Sequence, residues 1–435
     1  MNTAVNSDYL ASLLAGARAG ADSFSGLRAR GIECANALTL PTARDEEWRF
    51  TDLAPLQKIS FQPALEAGAV AGEALAAFHA AEAPLRLVFV DGVYAPALSV
   101  RAGLPDGIRA GTLRDLARDH GALIERHLAR HARFEDSAFT ALNTGFLRDG
   151  ALIAAGNGCE CPVPLHLLFV ATRRAAPQAI YPRCLIVAEP GSSLTVVEDY
   201  VALGDGVYLT DAVTEVAVGA GARVTHVRLQ RESPAAFHVS RCAVSQSRES
   251  RYRSAAVAFG ARLSRHNLEV TQLDEGVETR IDGLAVIGGR QLADTHTFMD
   301  HARPHGVSRQ LHKCVVADGA HAVFNGKVMV RAGAQLTDSS QSSRNLLLSP
   351  RARVDTKPQL EIFADDVKCT HGATVGQLED DEVFYLRSRG LSEPDARGLL
   401  TYAFAAEVIE RVPVESIRRV LRNVVLQRTQ QRSEA

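Results

Sequence analysis

The spacing of hydrophobic and polar positions changes twice along this chain. Over roughly the first 150 residues, apolar positions recur at helical spacing, most clearly in TLRDLARDHGALIERHLARH. There Thr112 and Asp115 form a capping box, and Leu113, Leu116, Ala117, Leu123, Ile124 and Leu128 fall along one side. A strand pair interrupts at LRLVFVDGVYAPAL, where Asp91-Gly92 is a strong hairpin signal. Residues 1–150 are therefore expected to be mostly helical, with one short hairpin.

Between 151 and 386 the period shortens to that of strands. Brief β-branched runs are cut by small turns: EPGSSL, GAGARV, DGAHAV, RAGAQL, SPRARV, ADDV and LEDDEV. Each turn ends on an apolar anchor, namely Leu194, Val224, Val323, Leu336, Val354, Val367 and Val383. Several anchors recur at a nearly constant step: Leu194 to Val224, Val323 to Val354, Leu336 to Val367 and Val354 to Val383. Recurrence of a degenerate strand-turn unit marks a solenoid, in which each coil buries its apolar face on the next. A β-sandwich with similar turns is the less favoured alternative at this length. The expected fold is mainly β: a right-handed parallel β-helix core flanked by N-terminal and C-terminal helical regions.

Residues 387–435 return to helix. Ser392 and Asp395 make a capping box with Pro394 in the first turn, and Ala396, Leu399, Leu400, Ala403, Phe404 and Val408 form a stripe. Pro413 opens a second helix carrying Val414, Ile417, Val420, Leu421 and Val424. Its other side is basic, with Arg418, Arg419, Arg422 and Arg428. That side is either a solvated cap on the solenoid or a docking face for a partner with an acidic groove.

Composition narrows the function classes. The chain has 435 residues, 46% hydrophobic and 23% charged, with a formal net charge of -2. Nothing in that balance favours nucleic acid or an anionic membrane. The opening MNTAVNSDYLASLLAGARAG lacks a basic segment followed by an unbroken apolar core, and no run approaches the ~18 apolar residues of a membrane helix. Seven scattered cysteines do not form a disulfide framework and fit a reducing cytoplasm.

Several chemistries lack their motifs. DGAHAVFNGKV has the wrong spacing for a phosphate-binding loop and a valine where the hydroxyl belongs. There is no G-x-S-x-G, H-E-x-x-H or C-x-x-C, and the one close cysteine pair is Cys159 with Cys161. DTHTFMDHARPHGVSRQLHKC holds His296, His301, His305 and His312 near Asp294, Asp300 and Cys314. Their irregular spacing matches no local chelate. Either stacked strands bring these groups to one metal, or they are polar positions on a ladder.

The stretch DDVKCTHGATVG is the sharpest candidate. Strand alternation puts Val367, Cys369, His371, Ala373 and Val375 on one side and Lys368, Thr370, Gly372 and Thr374 on the other. The cysteine and histidine thus share the apolar side, which suits a buried thiol and a core histidine. Their Cα atoms are also only ~6.5–7 Å apart, close enough for one ion. Two ligands leave a tetrahedral site half empty, so any further ligands must come from another coil or another subunit.

RNLLLSPRARVDTKPQLEIFADDVKCTHGATVGQLEDDEVFYLRSRGL resembles the C-terminal core of the SufD group within the SufB/SufD family of iron–sulfur cluster assembly scaffolds. DTHTFMDHARPHGVSRQLHKCVVADGAHAVFNGKVMV, RDEEWRFTDL and FTALNTGFLRDGA fit the same family, in order along the chain. SufB proteins resemble HEAT followed by Ser-Lys or Ser-Arg where this chain reads His371-Gly372-Ala373-Thr374-Val375-Gly376.

The resemblance implies a scaffold subunit without ATPase activity. It would pair with SufB through the β-helices and dock the SufC ATPase on its C-terminal helices, at Arg418, Arg419 and Arg422. Iron or a nascent iron–sulfur cluster would sit transiently at the SufB interface, with His371 as the favoured ligand and Cys369 the second. No cofactor is expected to bind stably to this chain alone, and a flavin is possible in the complex. A bulge at Gly372 or a subunit contact made by sheet edges would reconcile a ligand role with the apolar side. Two other readings stand beside it: a β-helix carbohydrate-active enzyme using Asp365, Asp366 and Lys368, and a metal enzyme using His296 to His312.

Overall fold

In the computed structural model, which describes residues 2–430, consecutive strands alternate between two sheets and pair with the strand two places on. One sheet runs from Arg353–Ile362 at one end, through His321–Val330, Leu292–His301, Leu263–Gln272, Phe237–Gln246 and Tyr208–Val218. It ends at Arg183–Ala188, Ala151–Ala155 and Ile108–Thr112. The other runs from Lys368–Gly376 through Asp338–Leu347, Val307–Val316, Glu278–Ile287, Arg251–Ala258, Arg223–Arg231, Ser193–Leu203 and Leu165–Thr172 to the hairpin at Leu85–Val90. Pairing along the coils is parallel, so the core is the expected parallel solenoid.

Register explains the repeat. Val224 pairs with Leu194, so the step between these two anchors is one full coil. Elsewhere the turns absorb length: Phe237 pairs with Leu263 across a shorter coil, and His321 with Arg353 across a longer one. Val323 therefore sits opposite Asp355 instead of Val354. Three anchors fall outside the ladder: Val367 stands just before the strand Lys368–Gly376, and two lie further from it. Leu336 lies in a turn with φ +60° and its side chain exposed, and Val383 belongs to the helix Asp380–Ser388. The turns themselves stack, with Gly191 N–H donating to Ala220 O and Gly221 N–H to Arg248 O. Both glycines have positive φ, which a side chain would strain.

Alternation fixes which side chains enter the lumen between the sheets. Leu87, Phe89, Ile153, Leu167, Ile186 and Val196 fill its N-terminal half. The outer faces are covered separately. Phe139 and Leu142 of the helix Ala138–Gly145 pack with Leu209, Phe237 and Leu263 on one sheet. Val408, Ile409, Ile417, Leu421 and Val425 of the helices Glu393–Ile409 and Glu415–Gln430 pack with Val227, Val257, Leu284 and Val315 on the other.

Local signals hold where they are self-contained. Thr112 and Ser392 accept from the Asp115 and Asp395 backbone N–H groups, as their capping boxes require. Asp91 and Gly92 take positive φ and turn the hairpin. The stripe of the penultimate helix is rotated from its expected place: Ala396, Thr401, Ala405, Val408 and Ile409 are buried, while Leu399 and Ala403 are exposed. Gly398 is buried as well, and the bulkier Leu399 turns outward.

Candidate functional site

The strands Arg353–Ile362 and Lys368–Gly376 end their sheets, and each has one edge without a neighbouring strand among the described residues. Lys368–Gly376 pairs with Asp338–Leu346 without interruption, so no bulge forms at Gly372. Ser339 lies beneath Cys369 and Gln341 beneath His371. Cys369 packs against the lumen cluster and is half-buried, whereas His371, Ala373 and Val375 are exposed.

This settles which description fits His371. Its side is the lumen side, as alternation requires, but among the described residues no further coil covers it. The histidine is presented at the mouth of the solenoid and is not a core residue. A Cβ at Gly372 would meet nothing within 4 Å, so the glycine is not there for lack of space. Burial is the largest influence on Cys369 and raises its thiol pKa, with Asp338 adding to the rise and the Ser339 backbone opposing it. Cys369 is thus a protonated thiol at neutral pH and must lose a proton to bind metal.

Among the described residues no group of three or more His, Cys, Asp and Glu side chains is placed to hold a metal ion. The 296–312 histidines go to different surroundings. His296 lies on the outer face, 3.1 Å from Glu47 and 3.0 Å from Asp294. His301 Nε2 meets Ser308 Oγ at 2.9 Å, and His305 sits in a turn with φ +60°. His312 is stacked on Phe324 with centroids 4.5 Å apart. Burial lowers His301 and His312 to about 4, so both are neutral at pH 7.

The same geometry accounts for RDEEWRF. Glu46 pairs with Lys357 at 2.5 Å, and Arg265 lies 3.9 Å over the Trp48 ring. Trp48 stacks in turn on Phe139. Residues 46–48 therefore strap the outer face from Leu263–Gln272 to Arg353–Ile362. Asp365 and Asp366 occupy an exposed turn, where the Asp366 carbonyl accepts from Leu336 N–H.

On the last helix, the cationic side is largely compensated. Arg418 pairs with Glu415 and lies 3.9 Å from Glu410; Arg422 lies 3.7 Å from Glu410 and 3.0 Å from Tyr402 Oη. Arg419 is exposed. Arg428 leaves that side: it donates to the carbonyls of Val286 and Phe259 at 2.7 and 2.5 Å, fastening the helix to the solenoid. Phe384 and Tyr385 of the helix Asp380–Ser388 are 71% and 56% exposed, and Leu399 is 44% exposed. Sequence reasoning passed over Phe384 and Tyr385. Two adjacent aromatics on one helix cannot both face inward, and that was the available signal.

No helix among the described residues is long and apolar enough to cross a membrane. The family model described as "SUF system FeS cluster assembly, SufBD core domain" matches residues 169–404, and "SufBD protein N-terminal region" matches 17–167. An iron–sulfur cluster assembly SufBD family protein of Synechocystis sp. is 43% identical over 404 residues, 90% of this chain and 88% of the relative. Iron–sulfur cluster assembly protein SufD of Escherichia coli is 35% identical over 396 residues, 87% of each. Its Bacillus subtilis namesake is 27% identical over 411 residues, 92% of each.

Proposed function

The chain belongs to the SufBD family and acts in SUF iron–sulfur cluster assembly, and from that premise we propose that it is a scaffold subunit contributing half of a shared cluster site. The observation that carries this reading is the open end of the solenoid. His371 is exposed and Cys369 half-buried on its last strand, and no complete metal site exists among the described residues.

In this reading a SufB-type subunit covers the strands Arg353–Ile362 and Lys368–Gly376. His371, as a neutral imidazole, and a deprotonated Cys369 add to ligands from the partner, and iron or the nascent cluster is cargo held between them. A SufC-type ATPase docks on the C-terminal helices and performs the ATP hydrolysis, through Arg418, Arg419 and Arg422 together with the exposed Phe384, Tyr385 and Leu399. Exposed aromatic and apolar side chains together with charges already paired within the chain suit an interface with an apolar centre and a polar rim.

The test is co-purification of tagged chain with its SufB and SufC counterparts, followed by anaerobic iron and sulfide analysis. A heteromeric complex that acquires labile cluster, while the lone chain acquires none, is the expected result. Tight stoichiometric metal on the isolated chain would overturn the shared-site reading.

A further inference from the structure

Resting on that reading, the lumen beneath His371 contains a residue able to set its protonation geometry. In the ladder Gln310 pairs with Gln341, and Gln341 with His371. Side chains in register on a parallel ladder share a face, so these three form one column inside the solenoid. Gln310 Nε2 donates to Thr297 Oγ1 at 2.6 Å, and Gln341 Nε2 donates to Gln310 Oε1 at 2.9 Å. The bonds all run the same way. Turning the Gln341 amide over on its own would set its oxygen against Gln310 Oε1, so the orientation of one amide fixes that of the other.

The column ends in an unused acceptor. Gln341 is only 3% exposed, yet its Oε1 is buried and receives no hydrogen bond among the described residues. Buried acceptors are rarely left so, and each calls for a donor. The next side chain up the column is His371. Room for the Gln341 amide is made from the facing sheet: a Cβ at Gly326 would stand 2.3 Å from Gln341 Nε2.

We propose that Gln341 is a positioning residue whose Oε1 accepts the N–H of the His371 imidazole once a partner covers the end of the solenoid. A neutral imidazole has one N–H and one lone pair, so holding the N–H toward Gln341 aims the other nitrogen at iron. Neighbouring strands are ~4.8 Å apart, within the reach of an amide and an imidazole. Gln310 acts through Gln341 by coupling the direction of the two amides.

The experiment uses full-length chain labelled with ¹⁵N-histidine, assembled with unlabelled SufB and SufC counterparts and kept free of iron. Long-range ¹H–¹⁵N correlations report the His371 tautomer, assigned by its loss in His371→Gln. Wild type should favour one tautomer, and Gln341→Leu should cut that ratio about fivefold, the factor set by a hydrogen bond of ordinary net strength. Gln310→Leu, which keeps the acceptor but frees its amide to turn, should also reduce the ratio. That variant keeps the test usable if Gln341→Leu fails to fold. An unchanged ratio in a folded variant of either kind overturns the proposal. Failure of the ligand reading is separable: it would appear as normal cluster maturation in His371→Ala, whatever the tautomer result.

Discussion

At the N-terminal end of the solenoid each sheet stops in an antiparallel pair; at the other end each stops in a bare parallel strand. Ile108–Thr112 runs antiparallel to Ala151–Ala155, and Val93–Tyr94 folds back on Leu85–Val90 with a bridge from Val100 to Arg86. Every residue of Ala151–Ala155 is buried. In Lys368–Gly376 only Cys369 is even half-buried, and Val375 is 49% exposed. Proteins usually guard an exposed strand edge, because it invites pairing with another chain. This chain guards one end and leaves the other open, with its candidate ligands on the open one. The best-buried end and the proposed cluster site thus lie opposite one another.

The largest effect is expected at the guarded end. Glu215 and Arg183 form an ion pair with no exposure, 2.6 Å apart, and Glu215 also accepts from the backbone of residues 129–132. Glu215→Ala strands a buried guanidinium and should cost ~3–5 kcal/mol in urea denaturation. At the open end, His371→Ala should change stability by less than about 0.5 kcal/mol. It should nonetheless abolish cluster maturation in the assembled complex while leaving SufC binding intact. Maturation at the wild-type rate would make His371 structural only.

Acid should act on the body of the solenoid. Burial holds His301 and His312 at about 4 against 6.5 when unfolded. Their folded forms bind fewer protons, so stability is lost as pH falls from about 6.5 toward 4. Burial pushes Glu198 and Asp294 up, but charged partners outweigh it: His226 and Arg228 for Glu198, Arg265 and His296 for Asp294. Both are held at about 2, which adds a second loss between about 4.5 and 2. Denaturation midpoints measured from pH 8 to pH 3 should fall in that order, and a flat profile across pH 6.5 to 4 would contradict it. The smallest effect is expected from Arg418→Glu with Arg422→Glu. Since Glu410 and Glu415 already face these cations, SufC association in a pull-down titration should weaken only a few-fold, as for exposed ion pairs.

What the sequence made legible follows the same division. The step from Leu194 to Val224 is a true register step, and both capping boxes form, because each depends on neighbours within one repeat or one helical turn. Leu336 misled because turns of variable length shift the register without changing the apolar pattern, and Val383 because a buried helix position after the last strand leaves the same apolar mark. For His371, alternation correctly gave the lumen side but not its exposure. Whether a lumen position is covered depends on the next coil, and the sequence does not say which coil is last in space. The strap at Glu46–Trp48 was visible as a motif, but its partners Arg265, His296 and Lys357 lie far along the chain, on three separate coils.

In the proposed assembly the open end is an interface and the closed end is not. Amide hydrogen exchange on the chain alone and in complex with its SufB counterpart tests it directly. The expected result is slowed exchange across 353–362 and 368–376 on assembly, with 85–90 and 151–155 already slow and unchanged. Unaltered exchange at 368–376 in a complex that has formed would place the interface elsewhere and remove His371 from it.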